Sequence, residues 1–227
     1  MALRTRQTVL HLPMRVWDVP TRLFHWLLVV LLPADYVAAE AGWMHLHLQL
    51  GYALLALFLF RVVWGFIGSD TARFSRFLVN PLSALRYMAR FGGREPDTQV
   101  GHNPAGGWMV LILLLFLGIQ IGSGLSANDG LGAVEGPLAG YLSGHASDVL
   151  TAIHGYMVYV IIAAVGLHVV AIGAYAVVKG QDLIRPMITG KKRLPATTRA
   201  PRFASPLLAL AAAALAAAAS VLIATRV

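Results

Sequence analysis

Four histidines carry the most specific chemistry in the sequence: His25, His47, His154 and His168. Each falls in or at the end of a long apolar segment, and His45 stands at the edge of the second. An ionisable side chain inside a bilayer is costly, so it points to function by default. A single one would be met as readily by a neutral imidazole bonded to a neighbouring helix. The spacing goes further. His154 and His168 lie in one apolar run with His168 fourteen positions after His154. On a helix that is about 21 Å of rise, and about 40° short of a whole number of turns. The two imidazoles therefore share a side, one near each face of a membrane. Two ligands so placed on one helix suit two stacked cofactors. Bis-imidazole ligation of haem iron needs no thiolate, and the chain has no cysteine.

The elements that position these residues follow from composition. Of 227 residues 58% are hydrophobic and 12% charged, against about 25% charged in soluble domains. Too few charges remain to cover a soluble fold of this size. A span needs about 20 apolar residues, and five segments qualify: 23–40, 46–67, 107–125, 149–178 and 205–224. The expected fold is an all-α integral membrane protein. Four of these segments fall in residues 1–195, and a linker with an additional C-terminal transmembrane helix occupies 196–227. The first segment reads as a retained span. Its basic lead is long for a cleaved leader, and His25 and Trp26 interrupt the apolar run.

The formal charge of +8 has a topological explanation. Arg4, Arg6, Arg15 and Arg22 precede or open the first segment. Arg73, Arg76, Arg86, Arg90 and Arg94 follow the second, and Lys179, Arg185, Lys191, Lys192, Arg193, Arg199 and Arg202 follow the fourth. The loops 41–45 and 126–148 contain no Lys or Arg, and Glu40, Asp129, Glu135 and Asp148 lie in or beside them. By the positive-inside rule the N-terminus is cytoplasmic, and the C-terminus is outside if the fifth segment spans. The basic surplus is not a nucleic-acid signal.

This topology puts His25 and His168 in the inner half and His47 and His154 in the outer half, so depth pairs them two by two. His47 is preferred over His45, because Gly51 follows one turn further in and Gly155 adjoins His154. A glycine beside a ligand lets a flat macrocycle approach the backbone. Gly118, Gly122 and Gly124 serve either that clearance or ordinary helix packing. Asn80-Pro81 opens a short helix over 81–91, with Leu82, Leu85, Met88 and Phe91 on one side, lying on the inner membrane surface. Trp17, Trp26, Trp43, Trp64 and Trp108 are expected to be interfacial anchors. Asp18, Arg22 and Arg61 lie at the inner interface, where they contact haem propionates or quinone, or snorkel to headgroups. Snorkelling is the preferred expectation for each arginine. Asn103 reads as the cap of the third span, and His102 and His145 as surface residues.

Several motifs combine into a family resemblance. They are Arg15-Val-Trp-Asp-Val-Pro-Thr-Arg-Leu-Phe-His25-Trp26, His47-x-x-x-Gly51-Tyr52 and Phe60-Arg61-Val-Val-Trp64-Gly65-Phe66. To these add Gly101-His-Asn-Pro-Ala-Gly-Gly107-Trp108, the His154/His168 pair and Arg185-Pro-Met-Ile-Thr-Gly190. Over residues 15–192 the chain resembles the bacterial cytochrome b561 and nickel–iron hydrogenase b-type cytochrome family. The resemblance implies a four-helix haem-binding bundle over residues 1–195, with two b haems held by His25, His47, His154 and His168. It also implies electron exchange between a periplasmic partner and ubiquinone or menaquinone. Partners of that kind are c-type cytochromes, hydrogenases and formate dehydrogenases, in a larger membrane complex. A quinone site near His102, Asn103 and Gly106 is implied in the same way. The fifth segment departs from the family's four-helix pattern, as an assembly contact or a helix added against a larger complex.

The expected function is transmembrane electron transfer, as a subunit of an oxidoreductase complex rather than a stand-alone enzyme. A haem-containing quinone reductase acting on a small periplasmic substrate such as superoxide would share every ligand. It would want basic residues in an outer pocket, which the outer loops lack. A metal-ion transporter would cluster its ligands at one depth near the midplane, whereas these histidines form two layers.

Overall fold

The computed structural model describes residues 10–93, 98–128, 130 and 134–225; Arg4, Arg6, Arg94 and Asp129 lie outside them. Among the described residues, five helices are long and apolar enough to cross a membrane. They are α1 (Val19–Glu40), α2 (Met44–Ile67), α5 (Pro104–Gly124), α6 (Gly144–Ala174) and α8 (Pro206–Ala224). The shorter helices are α3 (Phe74–Phe77), α4 (Pro81–Ala89) and α7 (Ile184–Thr189). Strands β1 (His11–Arg15) and β2 (Lys191–Pro195) form one antiparallel pair.

Local chemistry sets the helix starts. Asp18, Asn103, Ser143 and Ser205 each accept a hydrogen bond from a backbone N–H in the first turn of α1, α5, α6 and α8. Asn80 does the same for α4. Proline occupies the first turn of α1, α4, α5 and α8, where its missing N–H costs nothing. Cap and proline together move α5 to 104, against the expected 107. Ser143 likewise starts α6 five residues before the expected 149, which puts the exposed His145 in its first turn. With 31 residues α6 is about 46 Å long, well beyond a hydrocarbon core of about 30 Å. It runs on into a π-helical turn at Tyr175–Lys179, which stops at Gly180 in the left-handed region, φ 66°.

Helices α1 and α2 pack together, and so do α5 and α6. The fifth long helix lies against α2 of its own chain. Ala209, Ala212 and Ala216 are buried there, and Ser220 donates to the Tyr52 carbonyl at 2.7 Å. Small side chains let two backbones come close where lipid supplies no hydrophobic drive between helices.

The two strands are an addition to the all-helical expectation. They tie the chain before α1 to the chain after α7, with Leu12 opposite Leu194. Val16 and Trp17 both donate to the Gly190 carbonyl, and Val16, Trp17 and Leu194 form a small buried cluster. This anchors the start of α1, and so the register of His25.

Candidate cofactor site

His47 on α2 and His154 on α6 face each other, with ring centroids 6.0 Å apart and planes at 67°. His154 Nδ1 donates to the Gln120 carbonyl of α5 at 2.9 Å. A carbonyl only accepts, so Nδ1 carries the hydrogen and Nε2 keeps the lone pair. His47 Nδ1 lies 3.3 Å from the Asp35 backbone oxygen, which accepts its hydrogen, and 3.0 Å from Asp35 Oδ1. Both rings thus turn Nε2 away from these acceptors, and His154 Nε2 accepts from the Gln120 side-chain amide at 3.4 Å. A metal-ligating histidine is held in this way, its second nitrogen donating to a carbonyl or carboxylate. Two imidazoles on opposite sides of one metal atom, with bonds of about 2 Å, have ring centres about 6 Å apart. The pair therefore fits a bis-imidazole site. His45 is exposed and outside this arrangement.

The surroundings fit a flat ligand as well. A cleft of about 240 Å³ reaches His47 and His154 between Met44, Leu48, Gly124 and Gly136. A Cβ built on Gly51 or Gly155 would meet nothing within 4 Å among the described residues. The glycines of α5 divide by role. Gly124 accepts the His154 ring, since a Cβ there would stand 2.6 Å from Cε1. Gly118 accepts Phe58, and Gly122 faces open space among the described residues.

The second layer lies toward the strands. His25 on α1 and His168 on α6 are both half-buried, and the charge of each would be felt at His102. His25 Nδ1 is enclosed with no hydrogen-bonding partner among the described residues. Among the described residues this ring lacks the Nδ1 acceptor that orients His47 and His154. Its ring stands edge-on to Trp26, whose Nε1 donates to the Met187 carbonyl at 3.1 Å.

Several residues near this layer depart from expectation. Arg61 does not snorkel: its side chain is 2% exposed, with the guanidinium 4.9 Å from the Phe74 ring centre and 6.0 Å from that of Phe24. The reason is position, because α2 presents it to the bundle rather than to headgroups. Its Nη1 and the Nε of Arg22 are enclosed without hydrogen-bond partners among the described residues. Asp18 faces neither lipid nor ligand. It caps α1 through Thr21 N at 2.7 Å and accepts from Trp64 Nε1 at 3.1 Å. Trp64 is 0% exposed and so is no interfacial anchor, and Trp17 is buried too.

His102 is not a surface residue either. Its ring packs 4.7 Å from both Trp17 and Phe77, with Nδ1 enclosed. Burial first, then the positive charge of Arg61, pushes its pKa down to about 3. Asn103 commits its Oδ1 to the α5 cap, accepting from Gly106 N at 2.7 Å. Among the described residues no three His, Asp or Glu side chains gather as a bare metal ion would require.

Five helices long and apolar enough to cross a membrane, carrying histidines at two levels, are what a multi-pass b-type cytochrome, a carrier of electrons, would offer. The comparisons with known proteins agree. Residues 16–190 match the family model "Prokaryotic cytochrome b561", and the chain belongs to that family. It is similar to the probable Ni/Fe-hydrogenase B-type cytochrome subunit of Bradyrhizobium diazoefficiens. Identity is 28% over 212 residues, covering 78% of this chain and 85% of the relative. No solved structure matches.

Proposed function

We propose that the chain carries electrons across the cytoplasmic membrane of a bacterium through two bis-histidine b haems. A redox partner outside the membrane and the quinone pool stand at the two ends. The observation that carries this reading is the His47/His154 pair, with Nδ1 of each ring at an oxygen acceptor and the rings 6.0 Å apart. Haem b, when bound, supplies a one-electron carrier at each layer.

The chain's own residues do the rest. His47 and His154 offer Nε2 at one layer, and His25 and His168 serve the other. Neutral imidazoles suit both tasks, since they ligate iron and avoid a buried charge. Gly51 and Gly155 leave the backbone approachable. Arg22 and Arg61 offer cationic groups to acidic substituents of a ligand at the second layer. Apolar side chains on α1, α2, α5 and α6 keep water from both layers. The segment at His102, Asn103 and Gly106 lies beside that layer and is our candidate for quinone exchange, with ubiquinone or menaquinone. The basic end faces the cytoplasm, which leaves the 126–148 connection for a c-type cytochrome or the catalytic subunit of a hydrogenase-like complex.

Single substitutions test the ligand set. His47→Ala and His168→Ala should each remove one of two haem signals in reduced-minus-oxidised spectra. A His168→Ala protein with both haems and unchanged spectra would overturn the assignment.

A further inference from the structure

Asp35 is the one carboxylate on the descending half of α1 that meets a ligand histidine. Its Oδ1 stands 3.0 Å from His47 Nδ1. The Nδ1 hydrogen is within reach of both Asp35 oxygens, the carbonyl at 3.3 Å and the buried Oδ1 at 3.0 Å. Asp35 therefore holds the His47 ring twice over: its carbonyl fixes the tautomer, and its carboxylate places negative charge at the ring edge. The other layer is of opposite sign. The guanidinium of Arg61 is buried there, with Nη1 unpartnered among the described residues, and the enclosed Nε of Arg22 is in the same state. Asp18 offsets Arg61 in part, but its oxygens are spent on Thr21 N and Trp64 Nε1.

Charge of opposite sign at two otherwise similar sites separates their affinities for an electron. A carboxylate beside a ligand imidazole raises ligand basicity and favours the oxidised metal. Buried cations favour the reduced one, less the part that acidic substituents of the bound group offset. We infer that Asp35 is a positioning residue for His47, and that it sets the reduction potential of the His47/His154 site below that of the His25/His168 site. The inference rests on the two-haem reading above. With a haem held at each layer, the charges of Asp35, Arg22 and Arg61 would make an electron more stable at the His25/His168 site than at the His47/His154 site.

The test is redox titration of both spectral components in purified haem-loaded protein, with His47→Ala run first. In that variant the component that disappears belongs to the Asp35 layer. If His47→Ala keeps both components, the ligand reading fails and Asp35 is not at issue. With the component assigned, Asp35→Asn keeps the backbone carbonyl and removes the charge. It should favour reduction of that component at least tenfold, about 59 mV for one electron, and change the other by less than twofold. Asp35→Glu should restore most of the difference while both variants keep two haems. An Asp35→Asn protein with both potentials unmoved, or with both moved equally, would overturn the inference. So would loss of that haem from Asp35→Asn and Asp35→Glu alike, which would make Asp35 a folding residue only.

Discussion

Gly124→Ala is expected to empty the His47/His154 site while leaving the fold intact. A Cβ at 124 would stand 2.6 Å from His154 Cε1 and 2.9 Å from Nδ1. Carbon contacts are comfortable at about 3.5–4.0 Å, so the ring must retreat by about 1 Å. The His154 tether resists this, because its 2.9 Å bond to the Gln120 carbonyl comes from the same helix face. A straight retreat stretches that bond to about 4 Å, beyond hydrogen-bond range. Overpacking costs about 1–3 kcal/mol, and the lost hydrogen bond about 1 kcal/mol more. Replacing a helical glycine returns about 1 kcal/mol. The net is about 1–3 kcal/mol, or roughly 5- to 150-fold in ligand affinity. Gly122→Ala is the control. It has the same helix gain, but its Cβ meets nothing within 4 Å among the described residues. The assay is haem per chain after purification and dilution in detergent, together with the circular dichroism of the helices. Gly124→Ala should lose one haem selectively, and Gly122→Ala should lose none. Equal retention in the two variants would refute the close fit of His154 against α5.

Three further outcomes follow from the same contacts. His45→Ala should keep both haems, since that side chain is exposed; loss of one on spectroscopic titration would move the ligand from His47. Trp64→Phe removes the indole N–H that donates to Asp18 Oδ2 at 3.1 Å inside the bundle. It should lower stability by about 1–3 kcal/mol in detergent unfolding, with haem content unchanged before the transition. His102 titrates in the folded state far below its ordinary 6.5, near 3, because burial disfavours its charged form. The unfolded chain takes up that proton more readily, so this contribution is complete above pH 6.5 and declines as pH falls toward 3. His102→Leu should flatten the loss of thermal stability below pH 6; an identical slope would contradict the burial of this ring.

The spans were legible because each is a local property: about 20 apolar residues ended by caps and prolines that read directly. The short helix behind Asn80-Pro81 was legible for the same reason, and runs to Ala89 rather than 91. The strands were not. His11–Arg15 and Lys191–Pro195 are five residues each, basic and without alternation, and each exists only because the other lies beside it. The Asp18–Trp64 bond joins positions 46 apart on two helices. Once it forms, a tryptophan that reads as an anchor and an aspartate that reads as interfacial both turn inward. Arg61 is similar: an arginine near a helix end fits snorkelling, and only the packing of Phe24 and Phe74 reveals its burial. Depth and topology suggested that His47 and His154 meet. That Asp35 and Gln120 orient them was hidden, because those contacts cross between helices.

Haem stoichiometry tests the central claim most directly. Protein purified from membranes in mild detergent is assayed for haem b and chain concentration, with reduced-minus-oxidised and low-temperature spectra on the same sample. Two b haems per chain, both low-spin, is the expected result for two layers of paired imidazoles. A single haem would contradict one of the two layers, and a chain that binds none when haem supply is ample would contradict the electron-transfer account as a whole.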